Sequence, residues 1–95
     1  MTVEEFRNST FEIAAQADWP VHVRSLWYVA HDNWQAAHNL IDHLDDAKSS
    51  HVHAYLHRLE GDEWNAKYWY NRANQPVFKG SLEEEWIALV TLYLV

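Results

Sequence analysis

Apolar side chains recur along this chain at intervals of three and four, the mark of helices with one buried face, and no stretch sustains the period-two alternation of a strand. Thr2 and Glu5 have capping-box spacing, and Phe6, Ile13, Ala14 and Ala17 follow, which predicts a first helix over about residues 3–17. Asp18 before Trp19-Pro20 reads as a cap with proline in the first turn of a second helix, whose inward residues are Val23, Leu26, Trp27 and Ala30. Asp32 and Gln35 open a third, with a stripe of Trp34, Ala37, Leu40, Ile41 and Leu44. After a polar loop over residues 45–50, Val52, Tyr55, Leu56 and Leu59 mark a fourth helix that ends at Gly61. Asp62 caps a fifth helix through about Ala73, closed by Asn74-Gln75-Pro76. Ser81 and Glu84 box the start of a sixth that reaches to near Val95. The fold class that follows is all-α, about six helices stacked as antiparallel hairpins in one domain over residues 1–95. Its parts are an N-terminal helix and linker (1–20), a first hairpin (21–47), a second hairpin (48–76) and a C-terminal helix (77–95).

The two hairpins read as copies of one another. Placing Trp34 over Trp64, an offset of 30, also aligns Leu26 with Leu56, Val29 with Leu59, Asp32 with Asp62 and Ala36 with Ala66, and puts His31 where the second copy has its turn glycine. The second copy carries Leu56, Gly61, Ala66, Tyr70, Ala73 and Pro76, and its last helix reads Ala66-x-x-Trp69-Tyr70-x-x-Ala73. Over residues 21–76 this resembles the tetratricopeptide family, and most closely its short Sel-type relatives, which implies stacked helical hairpins that recognise other proteins. Residues 34–86, with His53-Ala54-Tyr55-Leu56-His57-Arg58-Leu59-Glu60-Gly61-Asp62, also resemble a group of small uncharacterised bacterial proteins, which implies no activity.

Composition narrows the chemistry. Fourteen Asp and Glu against seven Lys and Arg give a formal charge of −7, and no basic cluster interleaves with the aromatics, so no nucleic-acid partner is expected. The absence of cysteine excludes disulfides, thiolate metal sites and cysteine nucleophiles. Two glycines leave no phosphate-cradling loop. The longest apolar run, over residues 86–95, is about half a membrane span. The N-terminus lacks a secretory pattern, so no membrane partner and a cytoplasmic location are expected.

Seven histidines are the main chemical feature. His53 and His57 lie one turn apart on the fourth predicted helix, as do His38 and Asp42 on the third, and i, i+4 spacing is able to chelate a metal. If those helices pack together, His38, Asp42, His53 and His57 converge as a site for zinc or another divalent transition metal. A ligand site would add Arg58 and Glu60, with Arg58 as a clamp for a carboxylate or phosphate; its structural alternative is a pairing with Glu60 or with an acid of a neighbouring helix. The fifth helix, aromatic on nearly every side, is expected to lie sandwiched between others. The last is apolar around its circumference, which makes Trp86, Leu89, Val90, Tyr93 and Leu94 candidates for an interface with a second copy. The leading expectation is a non-enzymatic helical-repeat protein, without cofactor, that binds a protein partner or itself. The alternative is a small enzyme or metal-binding protein built on the histidine-rich face.

Overall fold

Seven helices form among the described residues where about six were expected, because the first predicted helix breaks at Asn8-Ser9-Thr10. The computed structural model describes residues 1–94. Helix α1 (Val3–Arg7) starts on the Thr2–Glu5 capping box, and α2 (Phe11–Gln16) starts on Thr10, whose side chain accepts from the Ile13 N–H. The break buries Phe6 completely while leaving Phe11 and Ile13 exposed. The far end of α2 is satisfied from outside: the Arg24 guanidinium donates to the backbone oxygens of Ala14 (2.7 Å), Trp19 (3.1 Å) and Ala17. Asp18 caps nothing, for α3 (Val21–Ala30) begins directly after Pro20 without a side-chain cap.

The remaining helices are α4 (Trp34–Ile41), α5 (Ala47–Leu59), α6 (Glu63–Ala73) and α7 (Leu82–Tyr93), capped in turn by Asn33, Asp46, Asp62 and Ser81. Asn33 thus takes the capping role expected of Asp32. Asp32 instead occupies the left-handed region (φ 57°), as do Gly61 (φ 80°) and Asn74 (φ 58°). All three turns close with the same pair of backbone bonds: Asp32 N–H to Val29 O and Asn33 N–H to Tyr28 O, then Gly61 to Arg58 and Asp62 to His57, then Asn74 to Asn71 and Gln75 to Tyr70. This is the Schellman arrangement, which needs positive φ at its penultimate residue. The two interhelical turns therefore correspond at an offset of 29, Asp32 with Gly61, and not at the offset of 30 suggested by the tryptophans. At a turn where Gly61 already shows what the backbone prefers, Asp32→Gly is expected to stabilise the protein by about 0.5–1 kcal/mol in urea unfolding. An unchanged or lowered midpoint would mean that the Asp32 side chain compensates for its backbone.

Helix α3 pairs with α4 and α5 with α6, and α7 folds back onto α3 and α5. Between them Phe6, Leu26, Ile41, Leu56, Leu89 and Val90 are almost wholly buried. This corrects the interface expectation. Trp86, Leu89 and Val90 face the chain's own core, with the Trp86 indole N–H donating to Leu26 O at 2.9 Å, and Tyr93 and Leu94 are half-buried against it. The outer face of α7 is carried by Ile87, Ala88, Thr91 and Leu92. Helix α6 is likewise not sandwiched: Ala66, Tyr70 and Ala73 are buried, whereas Trp64 is 74% exposed and Tyr68 45%. No helix of the described residues is long and apolar enough to cross a membrane.

Candidate metal centre

The side chains with the most chemical potential lie where α4 meets α5. Asn33 fixes the start of α4, and the Trp34 indole N–H donates to Leu56 O (2.8 Å), which locks the first turn of α4 against the last turns of α5. One turn on from Trp34, His38 then points across at His53, and one turn on from His53 is His57. A ligand nitrogen from each of His38, His53 and His57 lies within 4.8 Å of the other two. His38 Nε2 and His53 Nε2 lie 3.1 Å apart. Two nitrogens bound to one tetrahedral zinc, each at 2.0–2.1 Å, are separated by about 3.3 Å, so this pair is already near ligand spacing. The convergence expected of these three histidines is present.

Carboxylates occupy the outer nitrogens. His57 Nδ1 lies 2.6 Å from Glu60 Oε1, and His38 Nδ1 lies 3.9 Å from Asp42 Oδ2. A carboxylate beside Nδ1 favours the proton there and leaves Nε2 as the lone-pair nitrogen, which is how metal-bound histidines are usually oriented. Glu60 is therefore placed to orient His57, whereas Asp42, expected to ligate, lies outside the group of three histidines and contacts His43 more closely than His38. His53 has no such partner: its Nδ1 is buried and makes no hydrogen bond. The short Nε2–Nε2 contact places one proton between the His38 and His53 rings, with the tautomers deciding which ring donates.

Aromatic faces wall the cluster. The Trp69 ring stacks on His53 at 3.9 Å between centroids and the Trp34 ring stacks on His38 at 4.7 Å. Neither indole was expected to belong to the site, although Trp34 precedes His38 by one helical turn in the sequence. Burial, reinforced by the neighbouring His57 and His38, pushes His53 down to about 4. Burial also lowers His38, against the opposing pull of Asp42. His53 and His38 are thus held in the neutral form that ligates a metal.

Arg58 is not part of this centre. Its guanidinium donates to Glu85 Oε1 (2.6 Å) and to Gly80 O (2.9 Å), and Glu85 Oε2 accepts from the Tyr70 hydroxyl. The pairing with a neighbouring helix's acid is what forms, and it leaves no fork free to grip a ligand. Asp62 is also engaged, accepting from the backbone and side-chain N–H groups of Asn65.

Residues 2–95 match the family model described as "Family of unknown function (DUF6164)", and the chain belongs to that family. Neither a curated protein nor a solved structure matches it.

Proposed function

We propose that this member of the family binds one divalent transition-metal ion through Nε2 of His38, His53 and His57. The observation that carries the proposal is the convergence of three imidazoles from two helices, one nitrogen of each within 4.8 Å of the others. Glu60, 2.6 Å from His57 Nδ1, favours the proton there and leaves Nε2 of that ring as the donor. Imidazole donors favour zinc, copper or nickel over magnesium or calcium. The ion would tie α4 to α5, and so the first hairpin to the second.

Protein produced without a histidine tag and stripped with chelator is expected to take up one equivalent of zinc by calorimetry. A hundredfold excess of free metal over Kd stabilises the bound fold by about 2.7 kcal/mol, which for a domain of this size raises Tm by about 10 °C or more. His57→Ala, which removes a buried imidazole of the site, is expected to abolish the rise. A melting temperature indifferent to zinc, nickel and copper would rule the proposal out.

A second reading, a protein-interaction or self-association module, is supported by the exposed Trp64 ring beside Tyr68 and by Ile87 and Leu92 on the outer face of α7. The tetratricopeptide-like pairing of the hairpins belongs to that reading, supported by their shared turn. Light scattering on a sizing column tests it: a strict monomer at high concentration excludes self-association.

A further inference from the structure

We infer that a metal ion held by the triad keeps one coordination position for a solvent-sized ligand. The centre is then an exchangeable, reactive one and not a sealed structural ion. This rests on the metal-binding reading above. Zinc and its neighbours take four or more ligands, and sealed sites fill every position with protein. Here three imidazoles converge, and among the described residues no fourth ligating side chain joins their group. Glu60 and Asp62 converge with His57 in a second group rather than with His38 and His53. There Glu60 sits on His57 Nδ1 and Asp62 caps α6, while Asp42 lies between His38 and His43. The chain offers no cysteine to complete the set.

Exposure across the triad is graded in the way an open position requires. The side chains of His38 and His57 are 20% and 10% exposed, whereas the whole of His53 is 3% exposed and covered by Trp69. The inner wall is therefore dry and the outer edge reaches water. A water at that edge, bound to zinc, loses a proton to solvent near neutral pH and becomes a nucleophilic hydroxide. Toward an activated ester, the hydroxide oxygen bonds to the carbonyl carbon and the bond to the leaving phenolate breaks. Carboxylic acid and phenolate depart, and a second water refills the position and releases a proton. The ligands expected are hydroxide and small anions.

Cobalt(II) and azide supply the test. The cobalt-loaded protein is expected to show visible bands that azide shifts saturably, and the zinc-loaded protein is expected to cleave 4-nitrophenyl acetate about tenfold or more faster than the metal-free protein. Cobalt uptake with bands blind to azide would overturn this inference and leave the metal-binding reading standing. An azide response without any gain in ester cleavage would overturn the hydroxide chemistry. Failure to take up cobalt or zinc at all would overturn both readings.

Discussion

Glu85→Ala is expected to destabilise the protein by about 3–5 kcal/mol, the largest effect of any single polar substitution in the chain. Glu85 is 1% exposed, and both of its oxygens are used, one by Arg58 and the other by the Tyr70 hydroxyl. Removing the carboxylate strands a guanidinium whose side chain is only 21% exposed and a phenol that is 1% exposed. Each unsatisfied group keeps its desolvation penalty without the bond that offset it. The network also joins α5, α6 and α7, with the loop at Gly80 attached through Arg58. Glu85→Gln, which keeps a hydrogen-bond acceptor but loses the charge, is expected to fall between wild type and alanine. The control is the exposed pair of Arg7 and Glu83, 2.8 Å apart with side chains 31% and 60% exposed. Glu83→Ala is expected to cost at most about 1 kcal/mol. Urea unfolding of the four proteins decides the matter. Equal losses for Glu83→Ala and Glu85→Ala would show that the buried network contributes no more than a surface contact.

Glu85 also marks where sequence reading stopped. The run Glu83-Glu84-Glu85 looks like an acidic first turn complementing a helix dipole, and nothing local says which of the three turns inward. The answer lay in the period of the helix. Counting back from Leu89 and Val90 by four places Glu85 and Trp86 on the same buried face, which the uniform apolarity of the segment obscured. Helix α6 failed for a related reason: an all-round aromatic helix has no pattern to say which rings a neighbour covers, so the exposure of Trp64 could not be read. Capping chemistry was legible at Thr2, Asp62 and Ser81 because a cap is decided by residues three apart. The turn register at Asp32 was not, because Asp and Asn both cap and both tolerate positive φ, and His31-Asp32-Asn33 contains two of them in sequence. The histidine cluster was legible from i, i+4 spacing on two helices that a short loop makes neighbours. The roles of Asp42 and Glu60 were not, since whether an acid ligates or orients depends on which ring nitrogen it faces.

That cluster makes the metal-free protein acid-sensitive in a definite window. His53 titrates near 4 in the fold and near 6.5 when unfolded, so between those values the unfolded chain binds more protons. Stability therefore rises with pH across the window. Its contribution is complete above about pH 6.5 and is lost as pH falls toward 4, with a total of roughly 2–3 kcal/mol for a group this buried. His22 and His51, also lowered by burial, act in the same direction. The capping acids Glu5, Asp46, Asp62 and Glu84 are held below their ordinary values. Their contribution is present above the ordinary carboxylate range and disappears only below it, so the upper part of the window belongs to histidine. Chelator-treated protein unfolded in urea at pH 7.5, 6, 5 and 4.5 is expected to weaken steadily, and His53→Leu is expected to flatten most of the slope. A His53→Leu protein with the wild-type slope would show that this ring is not the proton acceptor. Added zinc is expected to steepen the wild-type slope, because the ion and the proton compete for the same Nε2 lone pairs. It is expected to leave His53→Leu unchanged, which separates a ligand from a histidine that merely dislikes charge.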